Sequence, residues 1–195
     1  MKYAIIASHP HARSFTMAVA DALQASLKTR GHEVVLRDLY RMDFDPRLGA
    51  GEVPGPEGFE PAADVKAERA LIGDSNGFAL VYPVWFNAPP AMLKGYLDRV
   101  FGMGFGYGMG ERGGNAPMLS GKGLISITSS GAPMSWFKES GGWDAMRKLF
   151  DEHFAAVCGL AVLDHLHFGG IVPGVTGEAV KSCLDEVGES VARHF

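Results

Sequence analysis

Three short stretches hold most of the residues whose types and spacing suit chemistry. Ser8–Thr16 (SHPHARSFT) carries two histidines, an arginine and two hydroxyls just ahead of an apolar-periodic segment. Ser14 reads as a helix N-cap. A strand running into a helix there leaves backbone N–H groups and the positive end of the helix dipole facing any anion. Ser14 and Thr16 add hydroxyl donors, and His9, His11 and Arg13 add positive charge. Taken alone, this loop is better explained as a capped helix with its histidines in solvent. The second stretch, Tyr82–Pro90 (YPVWFNAPP), sets two large aromatics among prolines at the end of a buried run. A flat ligand can lie against Trp85 and Phe86, and the prolines stiffen the loop. The competing account packs both rings under a neighbouring loop. The third stretch, Thr128–Trp136 (TSSGAPMSW), is small and hydroxylated, which lets backbone approach a ligand closely.

Other constellations are weaker. Gly108–Gly113 satisfies G-x-G-x-x-G, but it follows a helix and opens none, so a dinucleotide fingerprint is excluded and a mobile loop over the site is expected. A Walker lysine motif is missing. His165 and His167 stand two apart on a strand, hence on one face. Asp164 is near, but no further Cys/His cluster supports a metal, so satisfied structural histidines are expected and no metal site is assigned. His153 falls on a helix with no ligand at metal spacing. Neither Ser129 nor Ser130 assembles into a Ser-His-Asp arrangement, and no nucleophile elbow is present.

The elements that must position these loops alternate regularly. Lys2–Ala7, Glu33–Asp38, Phe78–Tyr82, Gly121–Thr128 and Leu160–Phe168 are short apolar or β-branched runs, read as strands. Between them lie helical patterns at Ser14–Arg30, Ala62–Ser75, Pro90–Phe101 and Gly141–Val157, and Thr176–Phe195 closes the chain. The Gly141–Val157 helix is expected to place Trp143, Met146, Leu149, Phe150 and Phe154 on its apolar face. Leu39–Pro61 has no period and reads as a long excursion, functional or in contact with a partner. The alternation predicts an α/β fold: a five-stranded parallel sheet of flavodoxin-like order 2-1-3-4-5, helices on both faces, in one domain spanning 1–195. The ligand then sits at the carboxyl ends of strands one, three and four, where the three loops converge. An anionic end and a flat aromatic end are expected of it, a description that a flavin phosphate fits.

Bulk properties agree with an ordinary globular protein: 195 residues, 47% apolar and 21% charged. A net charge of -4 is too mild for nucleic acid. No secretory leader precedes the first strand, and no apolar run is long enough to span a bilayer, so a cytoplasmic protein without membrane insertion is expected. Cys158 and Cys183 are expected to be reduced thiols.

The motifs are also familiar. Pro90-Ala-Met-Leu-Lys-Gly-Tyr-Leu-Asp-Arg-Val-Phe101 followed by Gly104-Phe-Gly-Tyr107 resembles the P-A-x-L-K-G-W-x-D-R-V-F…F-A-Y segment of the NAD(P)H:quinone oxidoreductases of DT-diaphorase type. His9, Ser14 and Phe15 match that family's H-x(4)-S-F loop. Leu39-Tyr40 with Phe44-Pro46 resembles its D-L-Y-x-x-x-F-x-P segment, and Ser126-Ile-Thr-Ser129 with Gly131 its S-x-T-T-G-x loop. The resemblance covers nearly the whole chain.

The resemblance implies a non-covalent FAD or FMN, with NADPH or NADH as electron donor and a quinone, nitro or azo compound as acceptor, reduced by two electrons in a ping-pong cycle. It implies that His9, Ser14, Phe15 and Thr16 hold the phosphate and ribityl chain. Pro83, Val84, Trp85 and Phe86 would flank one edge of the ring, and Thr128, Ser129, Ser130 and Gly131 the other. Tyr107 and Trp136 would line the substrate pocket, and a homodimer is expected. Thr16 departs from a common asparagine. Trp136 stands where the family has a loop tyrosine, and the histidine that follows it in the mammalian enzymes has no counterpart near Gly141–Trp143. No essential acid or base side chain is therefore assigned. A flavodoxin-type electron carrier and a redox-sensing subunit of a membrane transporter share the same features.

Overall fold

The computed structural model describes residues 1–55, 58–111 and 113–195. Five parallel strands form the sheet: β1 (Lys2–Ala7), β2 (Glu33–Asp38), β3 (Gly77–Pro83), β6 (Gly123–Ser129) and β7 (Ala161–Phe168). Their order is β2-β1-β3-β6-β7, which is the expected 2-1-3-4-5 when sheet strands alone are counted. β3 is buried at every position, which is why its sequence is apolar without alternation.

Alternate side chains of each strand feed two cores. On one face Ile5, Val81 and Ile127 pack with Leu23 and Leu27 of α1 (Phe15–Thr29) and Val187 and Val191 of α7 (Gly177–His194). On the other, Ile6, Leu80 and Tyr82 pack with α2 (Ala63–Ile72), α3 (Ala91–Val100), the short α4 (Met134–Glu139) and a composite helix. That helix is α5 (Gly142–Arg147), a π-helical Lys148–Phe154, and α6 (Ala155–Cys158).

The π segment corrects the expected apolar face. Met146, Asp151, Ala155 and Cys158 are buried, whereas Leu149 is 62% exposed. The five-residue step from Met146 to Asp151 is one π turn, which carries an aspartate into the interior where an α-turn would have placed Phe150.

The Leu39–Pro61 excursion is clamped at its described positions to α2 and α3. The buried Arg99 donates to the Asp45 carbonyl at 2.6 Å, to Glu52 at 3.0 Å and to Asp64 at 2.8 Å. Gly95 allows the close approach, because a Cβ there would stand 2.1 Å from the Pro46 carbonyl oxygen.

The glycine-rich stretch expected to be a mobile lid is ordered differently. β4 (Tyr107–Met109) and β5 (Asn115–Pro117) pair antiparallel, with Arg112 outside the described residues. This hairpin follows the carboxyl end of α3, so it stands at the amino-terminal edge of the sheet. No helix among the described residues is long and apolar enough to cross a membrane.

Candidate functional site

The loops after β1, β3 and β6 meet at the carboxyl edge of the sheet and enclose a cleft of about 210 Å³. His9, Phe15, Thr16, Pro83, Val84, Trp85, Ser129, Ser130 and Gly131 line it, all expected from sequence, together with Ile171, which was not. Ile171 arrives through the turn after β7. Its N–H donates to the Ser130 carbonyl at 2.9 Å, a contact between distant chain segments that no local pattern announces.

The first loop leaves several hydrogen-bond donors unpaired at the cleft. Ser14 caps α1 by accepting the Met17 N–H at 3.2 Å, which leaves the N–H groups of Phe15 and Thr16 without an intrahelical acceptor. The first turn holds no acidic residue. His9 Nδ1 accepts the His11 N–H at 3.0 Å, so the neutral ring carries its proton on Nε2 as a free donor. Burial foremost, against a raising effect of that hydrogen bond, holds the His9 imidazole below its ordinary pKa. Arg41 ties the loop down by donating to the carbonyls of His9 and Pro10 and to Asp38.

The second loop folds back at Phe86-Asn87. Trp85 and Ala88 exchange N–H···O bonds at 3.0 Å, and both intervening residues have positive φ, 49° and 58°. This is the primed turn that suits a hairpin, but for phenylalanine it is strained. The Phe86 ring nevertheless stands fully exposed, and Trp85 is 43% exposed beside it. The His9 and Trp85 rings lie 6.1 Å apart, joining the first loop to the aromatic wall. The third loop is anchored by the Val84 N–H on the Ser129 carbonyl at 2.7 Å and by the Ser130 N–H on the Phe168 carbonyl at 3.0 Å. The Gly131 N–H makes no hydrogen bond among the described residues.

A model of the flavodoxin-like fold matches residues 1–191. The chain belongs to that family. An uncharacterized NAD(P)H oxidoreductase of Haemophilus influenzae is 32% identical over 172 residues, covering 88% of this chain and 85% of the relative. The NAD(P)H dehydrogenase [quinone] 1 of Cavia porcellus is 30% identical over 66% of this chain, and the chain spans only 53% of that relative's length. Among solved structures, the NAD(P)H:quinone oxidoreductase from Methanothermobacter marburgensis superposes with a TM-score of 0.81 at 25% identity, covering 100% of this chain and 98% of that one. NAD(P)H quinone oxidoreductases are thus among this family member's relatives.

The remaining residues assigned from sequence are distributed unevenly. Ser14 stands beside the cleft as the α1 cap, and Phe86 stands on the exposed turn of the second loop. Thr128 lies beneath the cleft. Its hydroxyl is taken up by His165 Nε2 at 2.8 Å and His167 Nδ1 at 2.9 Å, so its side chain points into the core and not toward a ligand. Trp136 falls on α4, where an irregular loop was expected, and is 53% exposed. Tyr107 is not brought to this cleft. It lines a second groove at the opposite edge of the sheet with Leu97, Phe101, Phe150, Phe154 and Cys158.

The cleft fits a flavin on two observations. The first turn of α1, at the cleft, presents unpaired N–H groups with no acidic side chain beside them. The exposed, strained aromatic turn offers a ring-sized apolar surface next to a cradle for phosphate.

Proposed function

We propose that this protein is a flavin-dependent NAD(P)H oxidoreductase that reduces quinones, or nitro and azo compounds, by two-electron hydride transfer in a ping-pong cycle. The observation that carries this reading is the pairing, in one cleft, of an acid-free helix N-terminus with Trp85, and the uncovered Phe86 on the turn beside it. Ser14, Phe15, Thr16 and the Nε2–H of His9 would bind the phosphate and ribityl end of FMN or FAD. Pro83 to Phe86 would hold one edge of the ring, and Ser129 to Gly131 the other. When bound, the flavin supplies the ring that takes and gives up hydride. The Gly131 N–H would then stabilise negative charge developing at the ring edge, as an oxyanion hole does. Trp136 would wall the acceptor site.

The reading includes a homodimer. Tyr107 is separated from its own cleft by the length of α3, about 15 Å at 1.5 Å per residue. Its assigned part in substrate binding therefore needs a second copy of the chain. The reading also places the protein in the cytoplasm.

The test is to purify the protein, extract any chromophore beside FMN and FAD standards, and titrate with NADH and NADPH in the presence of a soluble quinone. A yellow protein that oxidises a nicotinamide nucleotide at the expense of quinone is expected. Protein that stays colourless after incubation with both flavins overturns the proposal. Flavin binding with a stable one-electron-reduced state and no nucleotide turnover would favour an electron carrier.

A further inference from the structure

Behind the cleft wall, between β6, β7 and the π-helical turn, lies an unbroken line of side-chain hydrogen bonds. Asp151 Oδ1 accepts the Ser126 hydroxyl at 2.9 Å, and Asp151 Oδ2 meets His165 Nδ1. His165 Nε2 meets the Thr128 hydroxyl at 2.8 Å, which meets His167 Nδ1 at 2.9 Å. His167 Nε2 meets the Ser130 hydroxyl at 3.0 Å, and Ser130 lines the cleft. Asp151 and the side chain of His165 are almost wholly buried.

With the Thr128 hydroxyl donating along the line and not to the Leu166 carbonyl 3.3 Å away, counting donors and acceptors gives two self-consistent states. In the first, Ser130 donates to the Ala132 carbonyl at 2.7 Å, as its geometry permits. His167 Nε2–H then donates to Ser130, Thr128 donates to His167 Nδ1, and His165 Nε2–H donates to Thr128. Because His165 uses its Nε2 proton, a further proton must lie between Nδ1 and the Asp151 carboxylate. In the second state every link is reversed: Ser130 donates to His167 Nε2, His167 Nδ1–H to Thr128, Thr128 to His165 Nε2, and His165 Nδ1–H to Asp151. The first state holds one proton more than the second. Passing from first to second moves one proton across each link. The Ser130 hydroxyl loses its own proton to the cleft and receives that of His167, so no bond to carbon changes and no electrons move.

We infer that Asp151, His165, Thr128, His167 and Ser130 form a buried proton store and relay that exchanges one proton with the ligand in the cleft. The inference rests on reading the cleft as a site of hydride transfer. A quinone that receives one hydride, two electrons and one proton, needs one more proton to become the hydroquinone, and the relay supplies it. Solvent entering the cleft after product leaves returns the proton by the same path.

The surroundings suit the role. Arg147 Nε lies 3.8 Å from Asp151 Oδ2 and has no hydrogen-bond partner among the described residues. Tyr82 of β3 is buried on the same side, and burial, followed by the charge of Asp151, raises its pKa. The Trp143 ring packs 4.8 Å from His165 and 5.6 Å from His167, and Phe137 of α4 packs 5.1 Å from His167. Asp164 accepts the His165 backbone N–H, but its other oxygen faces Ser190, Arg193 and His194 across the sheet. Burial first, and then the charge of His165, push the His167 imidazole down to about 4, which keeps it neutral and able to reverse its donor and acceptor nitrogens.

The test has two arms. In flavin-free protein, nitrogen-15 spectra of the imidazoles are recorded for wild type, Thr128→Val and Ser130→Ala. Expected are a neutral His167 across pH 5–9, a changed His167 tautomer in Thr128→Val, and at least tenfold slower exchange of the imidazole protons with water in Ser130→Ala. A His167 that titrates near 6.5, or spectra and exchange unchanged in both variants, overturns the inference. In flavin-loaded protein, an indicator dye follows proton uptake from solvent while a single equivalent of quinone reoxidises the reduced protein. At pH 7 about one proton should be taken up after quinone reduction in wild type, as the store refills, but in step with it in Thr128→Val, and Thr128→Ser should restore the delay. Flavin binding with uptake timed identically in all three overturns the relay while leaving the proposed function standing. Failure to bind flavin removes the proposed function, and the imidazole spectra still decide the relay.

Discussion

Phe86→Asn separates the stability of this protein from its affinity for a flat ligand. Phe86 sits at a φ of 49° with its ring fully in solvent, so the free protein gains nothing from packing it. The left-handed region costs an ordinary L-residue about 1–2 kcal/mol, and asparagine tolerates it with little penalty. Phe86→Asn is therefore expected to stabilise the ligand-free protein by about 1 kcal/mol, a rise in Tm of about 2–4 °C for a chain of this size. If one face of the ring covers the ligand, the variant forfeits about 80 Å² of apolar contact at about 25 cal/mol per Å², or about 2 kcal/mol, a roughly thirtyfold weaker Kd. The two effects oppose each other in the loaded protein. With flavin at 100 times the wild-type Kd, ligand binding adds about 2.7 kcal/mol to the wild type and about 0.9 kcal/mol to the variant. The order of stability should reverse on adding flavin. Thermal melts with and without FMN or FAD, and fluorescence titrations for Kd, check both halves. A ligand-free variant that melts below wild type would refute the strain argument, and an unchanged Kd would refute the placement of the ring.

Two further predictions follow from the scaffold and the buried histidines. Gly95→Ala sets a Cβ 2.1 Å from the Pro46 carbonyl, against backbone that cannot swing aside, so a loss of about 2–3 kcal/mol is expected in denaturant melts; an unchanged midpoint would show that the excursion is not clamped there. For His167, the folded-state pKa of about 4 lies below the ordinary 6.5, so between those values the unfolded chain binds the extra proton and the folded protein does not. Stability should therefore fall as pH drops from about 6.5 toward 4 and level off below. His167→Gln should flatten that slope, and equal slopes in the two proteins would contradict it. The carboxylates held low by Arg99, Glu52 and Asp64, lose their contribution at lower pH, below the ordinary carboxylate range, so the two effects can be told apart.

The sequence by itself determined whatever depends on local pattern. Apolar runs and a hydroxyl ahead of an amphipathic segment specify strands, the Ser14 cap and the loops between them, and the right-handed crossover rule then leaves few topologies, of which the flavodoxin-like 2-1-3-4-5 order is the natural choice for five strands. Which loops share one sheet edge follows from that order alone, so nearly all residues of the cleft wall were legible. Only the tertiary structure decided where individual side chains point. A five-residue π turn buries Asp151 and exposes Leu149, because packing against β6 and β7 selects a register that helical periodicity does not contain. Thr128 shares the Ser126 face of β6, and His165 and His167 on the neighbouring strand hold its hydroxyl there, away from the cleft. Phe86 adopts a conformation that its own propensity disfavours, since the Trp85–Ala88 hydrogen bonds and the flanking loops hold the turn. Tyr107 is near the cleft in the chain but is carried to the far edge by the run of α3. For Asp151 and Thr128 the deciding interaction joins residues distant in sequence, which is why no local reading contains it.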